Sequence, residues 1–160
     1  MKILITNDDG FLADGINALE NQLSNIAETI VVAPDKNNSG SSNAITINQP
    51  LRLEKIKKSF FSVNGTPSDC IHLALTEILN KKPDLIVSGI NQGQNMGDDT
   101  LFSGTIGAAT QGFLFGIPSI AFSQVEYGWT NINDATKIAK EIIAKLLHKP
   151  VEPFLLNINI

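Results

Sequence analysis

Cysteine occurs once in the 160 residues, at position 70, so no internal disulfide can form and the chain suits a reducing compartment. Long apolar runs are lacking too. None approaches the length of a membrane span, and the N-terminus has no charged segment leading into an apolar one. A cytoplasmic protein with no membrane partner is therefore expected. Excess charge is modest, with a formal net charge of −4. That argues against a general nucleic-acid binder and a duplex partner, while leaving room for one local basic pocket. Metal-ligand clusters of the zinc type are missing, because His72 and His148 both fall on expected helices and suit packed or surface roles. No GxxxxGK[ST] is present, and Gly89, Gly93 and Gly97 do not match GxGxxG, which removes a P-loop and weakens a dinucleotide site. Neither a Ser-His-Asp set nor the spaced aspartate pair of covalent aspartyl phosphatases is legible.

What is present is a soluble globular composition, 42% hydrophobic and 18% charged, in a length that fits one domain with a proper core. Lys2 to Thr6 is a short β-branched run that reads as a buried parallel strand, and it stops at Asn7-Asp8-Asp9-Gly10. Gly15 to Asn25 carries Ile16, Leu19 and Leu23 at helical spacing, and Thr29 to Ala33 is a second buried strand halted by Pro34. Asp35 to Asn43 is a polar loop of small residues. Ile45 to Leu53 and Ser59 to Val63 read as a hairpin off the main sheet, with Lys55 to Lys58 as its exposed turn. Thr66, Pro67 and Asp69 begin a helix expected to reach about Asn80, with Ile71, Leu75, Ile78 and Leu79 inward. Asp84 to Ser88 is the next strand, and Gly89 to Ser103 a glycine-rich loop long enough to suggest a function. A small-residue helix (Gly104 to Phe115), a strand (Pro118 to Phe122) and an amphipathic helix (Asn133 to His148) follow. Phe154 to Ile160 reads as a last strand with both faces covered. No internal repeat or linker interrupts residues 1–160. The alternation of strands and helices predicts a doubly wound, mostly parallel α/β sheet.

In such a sheet the loops leaving the carboxyl ends of the strands converge on one crevice. Asp8 and Asp9 follow the first strand, Ser39 follows the second, and Asn91, Asn95, Asp98, Asp99, Ser103 and Thr105 follow the strand ending at Ser88. Two adjacent carboxylates at a buried strand end are costly unless a cation neutralises them, although Asn-Asp-Asp-Gly is also an ordinary helix-capping turn. Carboxylates with a hydroxyl and an amide oxygen suit magnesium or manganese. In extended backbone the side chains of Asp8 and Asp9 would point apart, so only the turn at Gly10 could bring both to one ion. Ser103-Gly104-Thr105 opens a helix and offers free N–H groups and hydroxyls to an anion. Close packing through small residues explains SGTIGAA equally well. A metal beside an anion pocket suggests a phosphate ester as substrate.

ITNDDG, VVAPDKNNSG, NGTPSDCIHLAL and SGINQGQNMGDDTLFSGTIGAA, in this order and spacing, resemble the survival protein SurE family of metal-dependent nucleotidases from Met1 to about Gln124. The resemblance implies a Rossmann-like fold that hydrolyses nucleoside 5′- and 3′-monophosphates, and sometimes short polyphosphate, with one divalent ion. It puts the metal ligands on Asp8, Asp9, Ser39 and Asn91; Asp8 and Asp9 are read here as the catalytic residues, Asp9 being the one expected to orient the attacking water. It puts phosphate contacts on Gly40, Asn95, Ser103, Gly104 and Thr105. Gln92 stands where relatives often have histidine, and Lys36-Asn37-Asn38 replaces a more charged stretch. The resemblance also implies a further C-terminal arm region that builds dimers and tetramers. The expectation here is a single domain without that arm, less assembled, with weak turnover. A nucleotide- or phosphate-binding regulatory domain is the alternative reading. A small-molecule reductase is the more distant one.

Overall fold

The structure, a computed structural model, describes residues 1–128, 130–146 and 152–160. Seven strands form one sheet: β1 (Lys2–Thr6), β2 (Glu28–Pro34), β3 (Leu53–Lys57), β4 (Phe60–Val63), β5 (Leu85–Gln92), β6 (Ser119–Gln124) and β7 (Leu155–Asn159), in the spatial order β3-β4-β2-β1-β5-β6-β7. All neighbours pair in parallel except β3 and β4. The alternation of strand side chains divides the core in two. Ile3 and Ile5 face helices α1 (Asp14–Leu23) and α5 (Ile132–Leu146), whose Ile16, Leu19, Leu23, Ala139 and Ile143 are buried against them. Leu4, Val32 and Ile86 face the other way, onto helices α2 (Pro67–Leu73) and α4 (Gly104–Leu114) through Cys70, Ile71 and Ala108, with the single turn α3 (Asp99–Phe102) just before α4. Burying one Ile or Leu side chain contributes about 1.5–3 kcal/mol, so these two layers supply the main stabilisation. The sheet is the doubly wound one that the residues predict.

Five local expectations need correction. The hairpin lies in the main sheet, because β4 pairs in parallel with β2, Val31 beside Phe60 and Pro34 beside Val63. Residues 45–52 form no strand, and Lys55 to Lys57 belong to β3, so the turn is at Lys58 and Ser59. The helix opened by Thr66 has the expected N-cap, closed as a capping box with Asp69, yet it turns π-helical at Ala74–Ile78 and ends there. The strand expected to stop at Ser88 continues to Gln92 through a register shift. Gly89 takes φ +139° there, and a Cβ on it would strike the Phe122 carbonyl oxygen, so glycine is required. Lastly, β7 is not covered on both faces: Leu155 and Leu156 are each 37% exposed, since the strand has β6 on one side and no described neighbour on the other. The last residues expected in α5, through His148, lie outside the described residues.

Candidate active site

The turn after β1 is closed by Asn7, whose Nδ2 donates to the Gly10 carbonyl at 2.9 Å. It places Asp8 3% exposed at the carboxyl edge of the sheet. The polar loop after β2 is pinned onto this turn, because the Asn38 N–H donates to the Asp8 carbonyl at 2.7 Å. Asn37 Oδ1 accepts from the Ser39 N–H at 2.8 Å, which turns the chain at Ser39 and Gly40. From the third loop, the Leu101 and Phe102 carbonyls accept from Ser42 Oγ (2.7 Å) and the Ser42 N–H (2.9 Å). Three segments remote in sequence are thereby tied around one crevice.

Helix α4 starts directly behind Asp8. Thr105 donates its hydroxyl to Asp8 Oδ1 at 2.6 Å, and its backbone N–H also supports that carboxylate. The positive end of the helix is therefore engaged by Asp8 itself. Ser103 caps the helix by accepting from the Ile106 N–H at 3.2 Å. A Cβ on Gly104 would lie 2.8 Å from Asp8 Cβ and 2.7 Å from Ser41 Oγ, and one on Gly107 would strike the Ser42 carbonyl. Close packing thus accounts for the small residues of SGTIGAA, and the short approach keeps Asp8 in place.

Burial pushes the Asp8 carboxyl above the ordinary range, against the opposing pull of the Thr105 hydroxyl. Burial, and then the neighbouring charge of Asp8, push Asp9 up to about 6, with a backbone hydrogen bond from Gln92 opposing. Asp9 Oδ2 is buried without a partner, as are Thr6 Oγ1, Asn7 Oδ1, Ser41 Oγ and Ser88 Oγ on the same edge of the sheet. Asn91 commits Nδ2 to the Gly93 carbonyl at 2.8 Å, which leaves its amide oxygen for a ligand.

A cavity of about 300 Å³ brings together Asp8, Ser39, Gly40, Asn91, Asn95 and Ser103. Asp9, Gly104 and Thr105 do not line it: Gly104 and Thr105 support Asp8 from behind. Larger hollows of about 540 and 430 Å³ lie elsewhere, so size does not single this one out; its convergent polar atoms do. Among the described residues no Lys, Arg or His lines it. Among the described residues no three His, Cys, Asp or Glu cluster closely enough to hold an ion, so neutral oxygens must join the two carboxylates in any site here. Phe102, 63% exposed, and Tyr127, 84% exposed, form the rim, and nothing local in the sequence marks either. Also missed were Asn157 and Asn159 of β7. Their amides donate to the Asn95 carbonyl at 2.8 and 3.2 Å, and Asn159 Oδ1 accepts from the Asn95 N–H at 2.8 Å. The Asn-x-Asn spacing within an apolar strand was the available signal.

The family model for survival protein SurE matches residues 3–160. The chain belongs to that family. A crystal structure of the SurE protein from Aquifex aeolicus superposes with a TM-score of 0.92 at 41% identity, covering 99% of this chain and 66% of that one. This chain therefore spans about two thirds of the length of the Aquifex SurE protein. A short-chain dehydrogenase/reductase from Saccharomyces cerevisiae matches with a TM-score of 0.43 at 13% identity, over 99% of this chain and 70% of that one, and supports no conclusion. The fold is that of SurE. Among the described residues no helix is long and apolar enough to cross a membrane.

Proposed function

We propose that this SurE chain is a divalent-metal-dependent phosphomonoesterase that hydrolyses nucleoside 5′- and 3′-monophosphates to nucleoside and phosphate. One observation carries the reading. Two adjacent carboxylates, both pushed toward the neutral form, sit beside a polar cavity that no cationic side chain lines among the described residues, and one of their buried oxygens lacks a partner. That environment fits a hard cation. Asp8, Asp9, Ser39 and the amide oxygen of Asn91 would hold one magnesium or manganese ion, as all four are oxygen donors. When bound, the ion supplies positive charge to the phosphoryl oxygens and makes water a better nucleophile.

The chain's own residues do the rest. Thr105 holds Asp8 Oδ1 through its hydroxyl and so fixes the orientation of that carboxylate. Asp9 keeps an uncommitted oxygen at the same edge of the sheet, and in this reading it would orient the attacking water and take its proton. The water oxygen bonds to phosphorus as the ester P–O bond breaks, and the leaving hydroxyl of the nucleoside takes up a proton. Ser103, Asn95 and Gly40 line the cavity and would border the space for the phosphoryl oxygens. Phe102 and Tyr127 offer aromatic surface at the rim for a base. The test is phosphate release from a panel of nucleoside monophosphates, with and without chelator. Binding without release in the presence of metal would favour the regulatory-domain reading instead.

A further inference from the structure

At the amino ends of the strands, on the edge of the sheet opposite the carboxylates, lies a cavity of about 430 Å³. Strand β1 alone, five residues long, separates the two edges by about 16 Å at 3.3 Å per residue. Lys2, Lys55, Lys58 and Lys81 line this cavity, and no Asp or Glu does. A chain with net charge −4 thus gathers four of its 12 Lys and Arg residues around one hollow. Lys2 pairs with Glu28 at 3.2 Å, whereas Lys55, Lys58 and Lys81 have no ion-pair partner among the described residues. Like charges crowded in this way repel one another, and an anionic ligand removes that cost.

Two local irregularities build the site. The register of β3 against β4 shifts between Lys55 and Lys57. Lys57 consequently turns to the other face, over the Phe60 ring and toward Glu20 at 3.7 Å, while Lys55 and Lys58 stay on the cavity. Bulges re-aim side chains in this manner. The π-helical turn Ala74–Ile78 ends with Ile78 and Leu79 in the cavity wall, beside Ile30 and Phe61. π-turns of this kind are frequent at functional sites. The result is an apolar floor with an aromatic ring, rimmed by ammonium groups from three separate segments.

We propose that this cleft is a second, non-catalytic binding site for a nucleoside polyphosphate. Its base and sugar lie on Phe61, Ile78 and Leu79, and its phosphates reach Lys55, Lys58, Lys81 and Lys2. The volume is that of a small-molecule site, and lysines act as point-charge partners for successive phosphates. A diphosphate or triphosphate uses more of the ammonium groups than a monophosphate can, so the preference runs opposite to that of the monoesterase site.

Titration calorimetry of the full chain in magnesium buffer, with β,γ-methylene-ATP as the probe, tests this. One saturable site is expected. Binding should weaken at least about tenfold in K55E/K58E, because two ammonium partners of the phosphates are replaced by repelling carboxylates. The same loss is expected in K81E, on a different segment, and no change in D9N. The replaced lysines are all exposed, so these variants keep their fold. Three outcomes overturn the proposal. One is no saturable binding. Another is binding lost in D9N but kept in K55E/K58E, which would put the probe in the carboxylate site. The third is tighter, lysine-dependent binding of a single-stranded oligonucleotide, which would make this a nucleic-acid face.

Discussion

Asp9 is the residue on which the proposed chemistry turns. Replacing it with Asn keeps the shape and removes an anionic oxygen that has no protein partner. Asp9→Asn should lower kcat/KM at least about a hundredfold, more than about 2.7 kcal/mol of transition-state stabilisation. Steady-state kinetics at saturating metal checks it, and a near-wild-type rate would return the turn to a purely structural role. The same residue gives a pH dependence. Its folded pKa, about 6, lies above the ordinary 3.8, so the folded state holds that proton more tightly than the unfolded one. The stability it contributes is complete below about pH 3.8 and is lost as pH rises through about 6. In metal-free protein, the unfolding free energy of wild type relative to Asp9→Asn should therefore fall across that window in urea titrations. Saturating metal should remove the slope, because the ion takes the proton's place beside the carboxylate. Asp8 and Asp9 were visible in the sequence because their cost is local: two carboxylates at the end of a buried strand. Phe102 and Tyr127 were not, because only the folding of distant loops brings an aromatic ring to the cavity rim.

At the scale of elements, the strands were legible where they are short, apolar and buried, as with β1 and β2. The β3–β4 hairpin was misplaced because its residues are largely exposed on β3 and carry no core pattern. What ties it to the main sheet is the parallel pairing of β4 with β2, a non-local contact without a sequence signature. The π-turn after α2 likewise follows tertiary packing rather than propensity. β7 makes the clearest case. Its alternation gives a strand, yet Asn157 and Asn159 act on Asn95, more than sixty residues away in sequence. They are positioning residues for the loop that carries Asn95 into the cavity. Asn157→Ala with Asn159→Ala should release that loop and raise KM for a nucleoside monophosphate several-fold while changing kcat less. It should cost about 1–3 kcal/mol of stability through the lost hydrogen bonds to a half-buried backbone. Equal falls in kcat and kcat/KM, with KM unchanged, would contradict a positioning role.

For the whole molecule, the doubly wound sheet explains why residues from three loops meet at all. The carboxyl edge collects what β1, β2 and β5 release, and α4 closes the arrangement from behind through Thr105 and Gly104. Metal binding should stabilise the entire fold, since the buried carboxylates are opposed in its absence. At a hundred times its dissociation constant, magnesium or manganese should raise the unfolding free energy by about 2.7 kcal/mol. Thermal melts of wild type and Asp9→Asn, with and without the ion, read this directly. An equal shift in both proteins would place the ion somewhere other than this turn.

The most direct measurement is the release of inorganic phosphate from nucleoside 5′- and 3′-monophosphates by the purified chain, before and after complete chelation, with metal added back. The account predicts release with magnesium or manganese, none measurable after chelation, and recovery when the ion returns. Undiminished release in the presence of excess chelator would contradict it.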